Sequence, residues 1–120
     1  MRLFMIFAIA GLALADDTNT KAAVPTFNRD IAPILYQNCS NCHRPGEVAP
    51  FSLITYQDAA KRAKQIAAIT QAHVMPPWKA TPGYGNFLDV RRLTDQQIAT
   101  ISEWAKNGAP EASWSGRTQL

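Results

Sequence analysis

A chain of 120 residues with a formal net charge of +3 has room for one compact domain, and its positive charge is too small to argue for a nucleic-acid partner. Hydrophobic residues make up 47% of it, but part of that share falls in the first fifteen residues and does not count toward a folded core. A second domain, which would need a second core, is therefore not expected.

Residues 1–15 carry the pattern of a secretory signal peptide: Arg2, an apolar run over residues 3–14, and Ala13-Leu14-Ala15 ahead of Asp16-Asp17. An apolar run of about a dozen residues is short for the roughly 30 Å of hydrocarbon in a bilayer, so cleavage after Ala15 is expected and a retained anchor is not. Cleavage would remove Arg2 and lower the net charge by one. No later segment is long and apolar enough to cross a membrane. The processed chain is thus expected to be periplasmic or otherwise exported, with no stable membrane insertion. Residues 16–25 are polar and read as a flexible lead-in, residues 26–110 as the folded domain, and residues 111–120 as a C-terminal tail.

A first helix is predicted from Thr26 or Asn28, either of which suits an N-cap, to about Asn38. Ile31, Ile34 and Leu35 lie at helical spacing, and Pro33 falls near the first turn, where a missing N–H is tolerated. This helix leads directly into Cys39. Residues 44–53 hold Pro45, Gly46 and Pro50 and read as a loop. Thr55 is the predicted N-cap of a second helix, with Asp58 at the N3 position, running through Ala59, Ala63, Ile66, Ala67 and Thr70 to about Ala72. That helix is expected to be the longest.

Pro76 and Pro77 force the chain out of the helix and place Met75 on a stiff loop. Residues 79–92 stay irregular, with Pro82, Gly83 and Gly85 marking turns. A last helix opens on Thr94-Asp95-Gln96-Gln97, a capping box, carries Ile98, Ile101 and Ala105 on one face, and stops at Gly108 and Pro110. There are no repeats and no convincing strand. The expected fold class is all-α: three to four helices with long loops.

Cys39-Ser40-Asn41-Cys42-His43 has the C-x-x-C-H spacing of covalent haem attachment. Two thiols add across the porphyrin vinyl groups as thioethers, the two residues between them let the chain bridge that separation, and the following histidine lies under the macrocycle with its imidazole in reach of the iron. Three plainer readings compete. A thioredoxin-like C-x-x-C normally sits on a βαβ pattern, which is absent; a Cys39–Cys42 disulfide leaves His43 unexplained; and a zinc site needs four ligands, for which the chain offers only Cys39, Cys42, His43 and His73.

Outside the signal-peptide pattern the chain has one methionine, Met75, and one further histidine, His73. A lone methionine is ordinarily core packing, and a histidine at a helix end is ordinarily solvated. With a haem in place, Met75 is the preferred sixth ligand because Pro76-Pro77 hold its loop, and His73 is the alternative. Methionine opposite histidine raises the reduction potential and fills both axial positions, which favours electron transfer over catalysis. Phe51, Leu53, Tyr56, Trp78, Tyr84, Phe87 and Trp104 are candidates for an apolar wall, generic core being the plainer account of each. Lys79, Arg91 and Arg92 are candidates for pairing with haem propionates or for docking an acidic partner, a solvated face being the plainer account.

With this motif, a downstream Met-Pro and helices at both ends, the chain resembles class I c-type cytochromes. Cys42-His43-Arg44-Pro45-Gly46-Glu47-Val48-Ala49-Pro50-Phe51, then Met75-Pro76-Pro77-Trp78, Pro82-Gly83-Tyr84-Gly85 and Arg91-Arg92-Leu93, look more narrowly like bacterial cytochrome c domains found alone or fused to copper monooxygenase-like and thioredoxin-like modules. The resemblance spans about residues 26–110. It implies a small cytochrome c-like fold around one covalently attached haem c, with crossing terminal helices, Cys39, Cys42 and His43 at the first helix's exit and Met75 opposite. It also implies a proline carbonyl, best matched by Pro50, accepting a hydrogen bond from the haem histidine. The class often has glycine where the terminal helices touch; here Ala32 is the nearest small residue, with Trp104 a candidate to pack there.

The expected function is single-electron transport between an exported donor and acceptor, with no catalysis inside this chain. The alternative is a haem redox subunit feeding an associated oxidoreductase, such as a copper monooxygenase-like or dehydrogenase partner.

Overall fold

The structure, a computed structural model, describes residues 23–112. The signal-peptide pattern with its cleavage site, most of the lead-in and the tail from residue 113 lie outside the described residues. Within them the chain forms four α-helices and no strand: α1 (Ala32–Asn38), α2 (Tyr56–Ala60), α3 (Ala63–Gln71) and α4 (Asp95–Lys106). The all-α expectation therefore stands at the level of secondary structure. No helix among the described residues is long and apolar enough to cross a membrane.

The first helix begins differently from the prediction. Neither Thr26 nor Asn28 caps it through a side chain; a π-helical turn over Phe27–Ile31 leads into α1, with the Ile31 N–H donating to the Thr26 carbonyl at 3.3 Å. Its free amides are satisfied from elsewhere. Phe27 N–H donates to the Pro110 carbonyl at 2.8 Å and Asn28 N–H to that of Glu111 at 3.0 Å, while the Asp30 carboxylate reaches back to the Thr26 N–H at 2.7 Å. Donors that a helix start leaves unpaired are here met by the far end of the domain.

The predicted second helix is two helices. Thr55 caps α2 as expected, its Oγ1 accepting from the Asp58 N–H at 3.1 Å, but the helix breaks at Lys61 and Arg62. Arg62 takes φ −112° and ψ 9°, and its N–H bonds to the Ala59 carbonyl three residues back. Its guanidinium lies over the Phe51 ring and donates to the Asp58 carbonyl. A tertiary contact thus overrides a stretch of good helix formers. Among the described residues the longest helix is α4, with 12 residues.

At α4 the capping box is complete: Thr94 Oγ1 accepts from the Gln97 N–H and the Gln97 side chain accepts from the Thr94 N–H. Its other end closes as a Schellman motif, with Ala109 N–H on the Trp104 carbonyl, Gly108 N–H on that of Ala105, and Gly108 at φ 83°. The core is built on Ile31, Leu35, Ile101 and Trp104, all fully buried. Phe27 sits between Tyr56 and Trp104, with ring centroids 5.5 and 6.3 Å away, so the N-terminal turn and α4 meet across aromatic rings instead of glycine. Trp104 satisfies its indole N–H on the Pro110 carbonyl at 3.0 Å. Along α4 packs α3, tied to it by a Gln71 to Ser102 hydrogen bond.

Candidate functional site

The end of α1 turns sharply because its last carbonyls are used twice. Cys39 and Ser40 both donate their N–H to the Leu35 carbonyl, the Ser40 hydroxyl caps that of Tyr36, and the Asn38 amide caps that of Ile34. Cys42 and His43 then both donate N–H to the Cys39 carbonyl, at 3.1 and 2.9 Å, so Cys39 to His43 form one tight turn. Residues 44–52 loop out and return: Ala49 N–H bonds to the Cys42 carbonyl and Leu53 N–H to that of His43.

This return fixes the imidazole. His43 Nδ1 lies 3.1 Å from the Phe51 carbonyl and the rings of the two residues pack with centroids 4.7 Å apart. A carbonyl only accepts, so Nδ1 carries the proton in this contact, and in the neutral imidazole Nε2 is the nitrogen left with a lone pair. The resemblance pointed to the Pro50 carbonyl for this role; the acceptor is one residue later.

Both thiols are free. Burial, with a smaller contribution from neighbouring Cys42, pushes the Cys39 thiol up to about 11, so it is uncharged at neutral pH. Reactive dithiols in C-x-x-C motifs are tuned the other way, toward a stable thiolate. Among the described residues no group of three His, Cys, Asp or Glu side chains is placed to hold a metal ion.

Cys39, Cys42 and His43 open into a cleft of about 470 Å³, within the roughly 300–1,000 Å³ typical of cofactor sites. Phe51 and Leu53, two of the wall candidates, form part of its wall, and Leu53 is at the same time buried in the core. Ile66, Ile69 and Thr70 of α3 form another part, and Met75, Pro76 and Pro77 join it there. Val74 and Met75 are tied to the end of α3 by N–H bonds to the Ile69 carbonyl, which sets the position of the methionine loop.

The other wall candidates lie elsewhere. Tyr56 and Trp104 belong to the core, Trp78 and Phe87 pack edge to face at 5.7 Å, and Tyr84 is 78% exposed. Of the three basic candidates, Arg91 lines the cleft and Lys79 and Arg92 do not. His73 is exposed, with φ 54°, and borders a separate small pocket of about 20 Å³. Ile66, Ile69 and Thr70 are among the cleft-wall residues that sequence reasoning missed. Their spacing marks a buried helix face without saying what covers it.

The residue types that line this cleft are those a covalently held haem would use. A porphyrin brings its own four nitrogens, so the protein needs to supply a flat apolar cleft, two thiols on one turn and two axial donors, and not a closed cage of charged ligands. Met75, 37% exposed, shares the cleft with the cysteine turn. Protein-family models, curated proteins and solved structures were each compared with the chain, and none matched.

Proposed function

We propose that the protein is an exported monohaem c-type cytochrome that carries single electrons between redox partners. The observation that carries this reading is the convergence of Cys39, Cys42, His43 and Met75 on one apolar cleft, with His43 Nδ1 already engaged by the Phe51 carbonyl.

In this reading Cys39 and Cys42 would tether the macrocycle as thioethers, and His43 Nε2 and Met75 Sδ would be the donors to its iron. Bound there, haem supplies a one-electron iron couple. The chain does the rest. The Nδ1–H bond to Phe51 raises the basicity of the ligating nitrogen. Met75 would offer the iron a soft sulfur donor, which would favour the reduced state and compete with small ligands. Phe51, Leu53, Ile66 and Ile69 keep water from the site, and Arg91 offers a positive charge to the propionates. The contact between the N-terminal turn and α4 at Phe27 and Trp104 supports the small cytochrome c-like fold that the resemblance implies.

The test is a chain matured with a working haem-attachment machinery. Its intact mass should exceed that of the processed polypeptide by one haem, and the oxidised form should show the sulfur-to-iron charge-transfer band and resist added cyanide. In Met75→Ala the band should vanish and the potential fall. A colourless protein of unmodified mass would overturn the reading, and an unchanged Met75→Ala spectrum would move the sixth ligand to His73.

A further inference from the structure

Three side chains stand in a row beside the cleft. The guanidinium carbon of Arg62 lies 4.2 Å from the centroid of the Phe51 ring, and that ring packs on the His43 imidazole. Phe51 also supplies the carbonyl that holds His43 Nδ1. Arg62 is not part of the cleft wall. It is placed over Phe51 by the break between α2 and α3 and by donating Nη1 to the Asp58 carbonyl at 3.4 Å.

Phe51 needs such support. It sits on a loop between Pro50 and Ser52, outside any helix, and is only partly buried. A guanidinium over an aromatic face is attracted by the ring quadrupole, and its planar shape stacks as an ammonium does not. The contact therefore restrains both the ring that packs on His43 and the backbone that accepts from it.

We propose that Arg62 is a positioning residue for the axial imidazole, acting through Phe51 to set the His43 ring plane and to keep Nδ1–H on the Phe51 carbonyl. The role rests on the haem reading above. A break in the middle of a predicted helix then has a use: it brings a cation from the α2–α3 junction to the outer support of the ligand.

The experiment uses the haem-loaded protein in its reduced, diamagnetic form. Proton exchange at His43 Nδ1–H is measured by nuclear magnetic resonance, with Trp104 Nε1–H as an internal reference for global opening. Arg62→Met should speed the His43 proton by roughly tenfold, the size expected from losing a partly buried cation–π contact, and leave the Trp104 proton within about twofold. In a Phe51→Leu background the same substitution should add nothing, because the two residues act as one unit.

Equal acceleration of both protons, or none, overturns the role. Should Arg62→Met fail to fold, Arg62→Gln decides on the same two protons: faster exchange at His43 alone supports the role, and unmoved exchange overturns it. Haem content is recorded first on the unsubstituted protein. A chain without covalent haem sinks the cytochrome reading, whereas haem-loaded variants with an unmoved His43 proton sink only the role of Arg62.

Discussion

The Tyr56 hydroxyl donates to the Ala109 carbonyl at 3.0 Å, joining the start of α2 to the residue that closes α4, 53 positions away in sequence. Ala109 is buried and held at φ 53°, so its carbonyl has little freedom to find another partner. Removing the hydroxyl leaves that acceptor unpaired, which costs about 1–3 kcal/mol. Tyr56→Phe should lower the stability measured by urea unfolding by about that amount.

Thr94 makes the reciprocal capping box with Gln97 at the head of α4. Its loss strands one N–H of the first turn. Thr94→Ala should cost about 1 kcal/mol, and Thr94→Ser should recover most of it. Thermal unfolding followed by circular dichroism distinguishes the two variants.

Trp104 is fully buried against Phe27 and spends its indole N–H on Pro110. Truncating an aromatic residue in such a place removes about 3–5 kcal/mol, from a total that is only about 5–15 kcal/mol in a typical domain. Trp104→Ala should be largely unfolded or strongly shifted in urea midpoint. Trp104→Phe, which keeps a ring and loses the hydrogen bond, should fall between the two.

Asp30 gives the acid dependence a sign. Burial pushes its carboxyl up, but the Arg29 hydrogen bond, the Thr26 N–H and the Arg29 charge together outweigh it and hold the group below the usual carboxylate value. A folded-state value below the unfolded one means that the charged form stabilises the fold above the unfolded value, near 4, and that this stability is lost as pH falls through the folded value. The stability gap between wild type and Asp30→Asn should therefore be flat from about pH 5 upward and shrink below about pH 4. A gap that widens on acidification would contradict the assignment.

Legibility in the sequence followed the range of the interaction. The Thr94 capping box, the Thr55 cap and the Cys39 to His43 turn depend on neighbours within four residues, and all were placed correctly from sequence. The π-helical entry and the break at Arg62 were not, because their causes lie far along the chain: carbonyls of Pro110 and Glu111 in one case, the Phe51 ring in the other. The same limit explains the cleft. Apolar spacing along α3 showed that Ile66 and Thr70 turn inward, but a period cannot say whether a side chain or an empty cleft waits there. The hydrogen bond from His43 went to Phe51 instead of Pro50 because the path of the returning loop, and not the identity of a proline, decides which carbonyl faces the ring.

The pairing of Phe27 with Pro110 and of Asn28 with Glu111 puts the two margins of the folded unit side by side. A module whose entry and exit are neighbours can be spliced into a surface loop of a larger host without prying the host's own backbone apart. The geometry that caps the first turn thus also makes this fold portable, ready to be worn as an insert.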